Sequence, residues 1–268
     1  MIIFLAGIAA GILGAALGIG GGVFLVPLLN LGLGFSITAA AAISLATVIA
    51  TSTTVTAGRV GGELINVRLA MVLESATAAG SVLGGVTAQL IAQSTLQKMF
   101  GLVAAIVALT TLARSSRRNV THDVTLDPGI LGARIHDDDT GQTAVYRVRR
   151  LPLAVAASFV AGNISSLLGI GGGIVKVPVL NAWCGIPLRA AAATSAFMIG
   201  VTATGGALIY YGSGQLVPSA AAAAVLGVQV GSWAGIRAAG KVPVRVLKLT
   251  LSAVLAVVSI LMLVRGFQ

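Results

Sequence analysis

Long apolar stretches alternate with short polar connections along most of the chain. The first apolar region covers residues 2–34 and is interrupted by a run of glycines, and further stretches cover residues 36–58, 69–92 and 96–113. These lengths are close to the roughly 20 apolar residues with which a helix crosses a bilayer. The alternating pattern of a membrane β-barrel strand is absent from the sequence. The pattern therefore predicts an all-α, polytopic transmembrane protein.

The same order of apolar stretches recurs in the second half of the chain, at residues 151–184, 188–211, 216–238 and 245–265. The glycine run that interrupts the first stretch also recurs, at an offset of 169 − 18 = 151 residues. The same offset places Pro27 on Pro178 and Asn30 on Asn181. We therefore predict two copies of one unit, a first transmembrane repeat at residues 1–113 and a second at residues 151–268.

Residues 114–150, between the two copies, differ from them in composition. They contain both histidines, His122 and His136, and turn signals at residues 127–129 and 138–141. The short run at residues 144–148 has the composition of a β-strand. We predict a polar cytoplasmic linker that forms a small β-hairpin outside the membrane.

Basic residues in the connections indicate how the two copies are oriented. In the first copy Arg59 and Arg68 belong to the connection after the second apolar stretch, whereas the next connection carries only Lys98. In the second copy the bias is reversed, because the first of these connections is uncharged and the other carries a basic cluster, Arg237, Lys241, Arg245 and Lys248. If basic connections are cytoplasmic, the copies form two inverted repeats.

Inverted repeats require an odd number of crossings in each copy, whereas four apolar stretches give an even number. We therefore expect each glycine-broken first segment to form a hairpin or two short spans. Irregular backbone of this kind is tolerated at membrane depth where it is buried in protein or lines a cavity.

Composition excludes several classes of protein. Hydrophobic residues make up 57% of the 268 positions and charged residues 9%, which is not the balance of a soluble domain. The formal charge of +10 is spread over helix ends without a basic, aromatic-rich stripe, so we expect no nucleic-acid partner. With one cysteine, Cys184, and both histidines in the linker, we expect no metal, no cofactor and no enzyme active site.

The two glycine runs are the first candidates for a substrate-binding site. Glycines between helical segments leave backbone N–H groups without intrahelical partners, and a helix N-terminus adds a partial positive charge, so an anion can bind there. The alternative is that the glycines only permit a tight hairpin and close helix packing. The binding hypothesis requires a solvent-reachable hollow beside at least one run. Its candidate residues are Gly18, Gly20, Gly21, Gly22, Gly169, Gly171, Gly172 and Gly173.

Polar side chains after each run add further candidates. Lys176 has no counterpart in the first copy, where Leu25 occupies the equivalent position, and it is either an anion counter-charge or a lysine that snorkels to a helix end. Glu74 is a weaker candidate, for proton relay. The others hydrogen-bond either an oxyanion or a neighbouring helix, and both interpretations stay open. They form three pairs at matched positions, Asn30 and Asn181, Ser44 and Ser195, and Thr51 and Thr202.

Further glycines have the three-residue gaps of closely packed membrane helices, and for these we predict packing and not ligand binding. In the second copy they are Gly227, Gly231 and Gly235, and in the first copy Gly80 and Gly84, which follow Ala76 at the same spacing. We predict the same packing role for Gly7, Gly11 and Gly14.

The doubled Gly-Ile-Gly-Gly-Gly motif, each followed by Val-Pro and Asn, and the alanine-rich spans at residues 39–54 and 190–204 resemble the TauE/SafE sulfite exporter family. The resemblance covers nearly the whole chain. It implies a transporter for sulfite, sulfoacetate or related small organosulfonates, with the glycine motifs and the Pro and Asn that follow them as core elements of the pathway.

We therefore expect a multi-pass protein of the plasma membrane that exports a small sulfur oxyanion by alternating access and is not an enzyme. Its expected partners are the anion and the lipid bilayer, and a homodimer is left open. The alternatives are an importer of a carboxylate or other organic anion, and a membrane scaffold that transports nothing.

Overall fold

The computed structural model of the protein describes residues 1–17, 20–57, 64–113, 127–137, 142–239 and 244–267. Within these residues each copy contains five α-helices. In the first copy they are α1 (Ile2–Leu17), α2 (Gly22–Pro27), α3 (Ile37–Ala57), α4 (Val67–Leu90) and α5 (Gln93–Ala113). In the second they are α6 (Leu151–Leu168), α7 (Gly173–Ala182), α8 (Leu188–Gly212), α9 (Pro218–Ala239) and α10 (Val244–Phe267).

The all-α, polytopic architecture predicted from the sequence is confirmed. Five of the described helices, α3, α4, α6, α8 and α9, are long and apolar enough to cross a membrane. Each helix begins and ends within a few residues of the stretch that predicted it.

Each glycine-broken segment forms two helices with a reversal between them, α1 and α2 in the first copy and α6 and α7 in the second. Gly20 and Gly171 adopt left-handed backbone with φ of 76° and 74°, a conformation that residues with a Cβ rarely adopt. After the first reversal Gly21 lies against the carbonyl of Ala10, so α2 returns along α1. Pro27 then removes a helical N–H donor, and the next turn, Leu28–Gly32, widens to a π-helix. The expected hairpin is therefore present in both copies.

The two copies are packed into each other. Helix α1 of the first copy lies against α9 of the second, and α6 of the second lies in the same way against α4 of the first. Helices α3 and α8, which occupy equivalent places in the two copies, form the centre. Ser52, late in α3, donates to the carbonyl of Ala196, early in α8, whereas Leu45 lies near Gly206. The equivalent helices α3 and α8 therefore run antiparallel.

Helices α5 and α10 are also equivalent, and they are antiparallel too. The hydroxyl of Ser259 donates to the carbonyl of Gly101 at 2.8 Å, and that of Ser252 to the carbonyl of Ala108 at 3.1 Å. Antiparallel equivalent helices are what inverted repeats require. The inverted repeats and their orientation relative to a bilayer remain predictions.

Two helix pairs join the copies, α1 with α9 and α4 with α6, and we call them the swapped pairs. Glycines allow the helices of each swapped pair to pack with their backbones in contact. Gly227 lies against the carbonyl of Phe4 and Gly231 against that of Ile8, while in the other swapped pair Gly80 lies against the carbonyl of Phe159. At each of these positions a Cβ would collide with backbone and not with a movable side chain. The predicted packing role of these glycines is confirmed.

The linker contains the predicted hairpin, with β1 (Ala133–Asp137) antiparallel to β2 (Gln142–Tyr146). The predicted turn at 138–141 and His122 lie outside the described residues. The second strand ends before residue 148, because the chain then turns towards the connection after α7, where the N–H of Arg149 donates to the carbonyl of Cys184. The Tyr146 hydroxyl accepts a hydrogen bond from Asn66 at 3.1 Å, and burial raises the pKa of Tyr146. The hairpin is thereby docked on the N-terminal end of α4.

The backbone contact at Gly231 predicts a sharp difference between two glycine substitutions. Gly231→Ala places a methyl group against the carbonyl of Ile8, and overpacking of this kind costs about 1–3 kcal/mol. Gly212→Ala, at the end of α8, meets no neighbouring atom within 4 Å and is the matched control. We expect Gly231→Ala to lower the thermal unfolding midpoint of the detergent-solubilised protein, with the control unchanged. Equal midpoints for both variants would contradict this packing.

Candidate functional site

The two glycine turns, residues 20–22 and 169–173, meet at the centre of the molecule. A Cβ on Gly20 would lie 3.5 Å from Val48 and 4.0 Å from Ile199, and one on Gly171 would lie 2.9 Å from Val48 and 3.3 Å from Ile199. Val48 and Ile199 are themselves equivalent positions, near the middle of α3 and α8. The structure therefore brings together the two runs that lie far apart in sequence. Gly18 falls outside the described residues.

Two serines at equivalent positions border the turns. The hydroxyl of Ser44 lies beside Gly22 and donates to the carbonyl of Gly169 at 2.6 Å, so it links the two turns directly. The hydroxyl of Ser195 lies beside Gly173, is fully buried and has no hydrogen-bond partner among the described residues. One of the two predicted serines thus has a structural partner, and the other has unused hydrogen-bonding capacity.

The glycine turns are closed in this conformation. All described residues of both turns are buried, and the cavity beside Gly20, which Thr51 also lines, has a volume of about 10 Å³. That is room for roughly one water molecule and not for a sulfur oxyanion. The solvent-reachable hollow that the glycine hypothesis requires is not seen at this turn. Binding there requires another conformation, in which α3 and α8 separate.

A charged cluster lies behind the second glycine turn. Lys176 occupies the first turn of α7, and its main-chain N–H donates to the carbonyl of Gly172. Its side chain is only 1% exposed, which argues against a snorkelling lysine. The ammonium Nζ donates to Thr202 Oγ1 at 3.1 Å and lies 3.8 Å from Glu74 Oε2. We call Lys176, Glu74 and Thr202 the Lys176 cluster.

The Lys176 cluster is connected through Thr202. Its hydroxyl donates to Glu74 Oε1 at 2.8 Å while it accepts from Lys176, and Thr77 Oγ1 lies 3.4 Å from Glu74 Oε2. The side chain of Glu74 is 15% exposed, so the carboxylate lies at the edge of the buried region. Because Glu74 belongs to α4 and Lys176 to α7, the ion pair joins the two copies.

The sequence alone did not pair these two charges. Glu74 and Lys176 lie far apart along the chain, and only the packing of α4 and α7 around α8 brings them together. One signal was available, because each is an ionisable residue in an apolar stretch, and such residues are usually paired.

The Lys176 cluster has no charged counterpart at the equivalent positions on the other side of the centre. The positions equivalent to Lys176 and Glu74 are Leu25 and Val225, and only the hydroxyl is kept, as Thr51. Leu25 is fully buried, and the hydroxyl of Thr51 donates to the carbonyl of Thr47, within its own helix. The two halves of the centre therefore have nearly the same shape but different charge.

The two predicted asparagines lie near the ends of the helical segments that follow the glycine turns, Asn30 in the π-helical turn and Asn181 in α7, and their amides bond to the connections beyond. Asn30 donates to the carbonyl of Phe35 at 2.7 Å, and Asn181 donates to that of Ile186 at 2.9 Å. Asn30 also accepts a hydrogen bond from Gln97. Each amide closes the connection after its short helix, which explains their matched positions.

This arrangement can hold an anion by charge and by hydrogen bonds. A buried ammonium requires a nearby negative charge, and in the closed state the Glu74 carboxylate supplies it. The second glycine turn leads into the N-terminal end of α7. The Ser195 hydroxyl of α8, which has no hydrogen-bond partner among the described residues, lies beside Gly173 in this turn. Among the described residues no group of three or more histidine, cysteine or acidic side chains is placed to bind a metal.

Comparisons with known proteins agree with the sequence resemblance. The family model described as sulfite exporter TauE/SafE matches residues 3–262. The chain is 25% identical over 273 residues to the probable membrane transporter protein YunE of Bacillus subtilis (strain 168), an alignment that covers 99% of this chain and 98% of the relative. No solved structure matches. With the glycine motifs, the apolar helices and this coverage together, the chain belongs to the sulfite exporter TauE/SafE family and is a multi-pass membrane transporter.

Proposed function

We propose that this transporter carries small sulfur oxyanions, such as sulfite or C2 sulfonates, out of the cell by alternating access. The observation that carries the proposal is the buried Lys176 directly behind a glycine-broken helix start. In inverted-repeat transporters, broken helices near the middle of the membrane direct the N-termini of their half-helices at anionic groups of the substrate. The family description supports sulfur oxyanions as the substrate class.

The antiparallel pairing of equivalent helices supports alternating access. The two glycine turns lie between α3 and α8, and the Lys176 cluster lies beside the second turn, so movement of one copy against the other would open this centre to one side at a time. The small cavity beside Gly20 then describes a state in which the centre is closed at this turn. In the open states the anion contacts the backbone N–H groups of the second turn, Ser195 and Lys176.

Electrical driving force supports the outward direction. With the inside negative, outward movement of a dianion through 100 mV is favoured by roughly 4–5 kcal/mol, at about 2.3 kcal/mol per charge. Export therefore needs no coupling ion, whereas uptake against the same potential does.

Replacement of Lys176 tests the counter-charge directly. Hydrogen bonds to charged groups contribute about 1.5–3 kcal/mol, so we expect Lys176→Met to lower sulfite flux at least about tenfold. Leu25→Met is the matched control, because it changes the equivalent buried position to the same residue without a change in charge. Flux of radiolabelled sulfite and sulfoacetate in proteoliposomes measures both variants. Equal flux in the two would remove Lys176 from the proposed site.

Imposed membrane potentials test the direction and the charge of the transported species. Proteoliposomes loaded with sulfite are given a potassium diffusion potential of either sign, and initial efflux is compared. We expect efflux to increase when the inside is negative and to decrease when the potential is reversed. Efflux that does not respond to the potential would contradict uncoupled anion export. Flux of carboxylates in place of sulfur oxyanions would instead favour the organic-anion importer.

A further inference from the structure

The ion pair at the centre contains an anion that belongs to the protein itself. We propose that the Glu74 carboxylate is a tethered substitute for the substrate, which occupies the anion position at Lys176 in the empty transporter and is displaced when the substrate binds. This rests on the proposed function, because it assigns Lys176 to the transported anion.

The contacts of Glu74 are those that a bound oxyanion would make. One carboxylate oxygen accepts from the Thr202 hydroxyl at 2.8 Å, and the other lies 3.8 Å from the Lys176 ammonium. A sulfite or sulfonate group likewise presents a negative charge and several acceptor oxygens within a small radius. Both anions therefore compete for the same donors, Lys176 Nζ and Thr202 Oγ1.

The ion pair is loose enough for exchange. The separation of 3.8 Å between Nζ and Oε2 is longer than a hydrogen bond, so the contact is electrostatic only. The ammonium has three N–H donors, and among the described residues its hydrogen-bond partner is Thr202. Glu74, at 15% exposure, is the more accessible partner, whereas Lys176 is enclosed. The carboxylate is therefore the partner that can move, and the ammonium stays.

The exchange gives the transporter a defined empty state. A lysine enclosed in a membrane protein is strongly disfavoured without a nearby negative charge, so Lys176 needs either Glu74 or the substrate beside it. The return of Glu74 helps to release the anion and leaves the empty centre close to neutral. The positions equivalent to Glu74 and Lys176 are Val225 and Leu25, so this exchange has no equivalent on the other side of the centre. One anion is therefore expected to bind per chain.

A competitor within the protein lowers the apparent affinity for the substrate. If about one molecule in ten has a free Lys176 at rest, removal of the competitor increases the affinity about tenfold. We expect Glu74→Gln to bind radiolabelled sulfite about tenfold more tightly than the wild type in equilibrium dialysis. Net efflux from proteoliposomes should decrease at the same time, because the empty centre then carries an unpaired ammonium. Sulfite–sulfite exchange should persist, because the centre stays loaded.

Two further variants complete the test. Val225→Gln places the same amide at the equivalent position of α9, where the residue equivalent to Lys176 is Leu25, and its Kd should equal that of the wild type. Glu74→Asp keeps the charge but withdraws it by one methylene group, so its Kd should lie between those of the wild type and Glu74→Gln. If Glu74→Gln does not fold, the Kd of Glu74→Asp alone tests the displacement.

The outcomes separate this inference from the proposed function. If the wild type binds and transports sulfite but Glu74→Gln and Glu74→Asp have the wild-type Kd or a weaker one, the exchange is overturned and the transport function stands. If the wild type neither binds nor moves any sulfur oxyanion, the proposed function is overturned, and the exchange falls with it. An infrared difference spectrum supplies an independent readout. A carboxylate band that sulfite shifts in the wild type and not in Glu74→Gln supports the displacement, and its absence contradicts it.

Discussion

A lysine enclosed among membrane helices must have a negative charge beside it, and the centre of this molecule is organised around that requirement. Lys176 is held by the first turn of α7, Glu74 approaches from α4, and Thr202 of α8 bridges them. Three helices from two copies are thereby fixed relative to one another. The same requirement makes the place suitable for a transported anion, since any anion that enters relieves the same electrostatic cost.

The arrangement around this centre depends on close contact between helix backbones. Lipid tails are as apolar as the helix surfaces, so membrane helices associate through van der Waals packing and polar contacts. Small residues along α1, α4, α6 and α9 let the swapped pairs approach until side chains of any larger size would collide with backbone. That close approach places both glycine turns against Val48 and Ile199, and it leaves a cavity of only about 10 Å³ beside Gly20. The centre is closed because the packing is tight.

Duplication gave the molecule two nearly equal halves, and substitutions made them chemically different. Both halves keep a left-handed glycine, a serine beside the turn and a threonine two helical turns further along the central helix. Among the described residues the ion pair is found only beside the second glycine turn, where Glu74 of the first copy meets Lys176 of the second. The two sides of the centre therefore share a shape and differ in charge.

The sequence by itself determined the helical class, the break at each glycine run and the packing glycines, and it predicted two copies of one unit. These features follow from local composition and spacing, which each segment carries within itself. It also identified Lys176 and Thr202 as candidates. Only the tertiary structure decided that Glu74 is the partner of Lys176, and that Asn30 and Asn181 close loops. Such facts depend on which helices cross, and contacts between residues so far apart in the chain arise from the packing of the whole molecule.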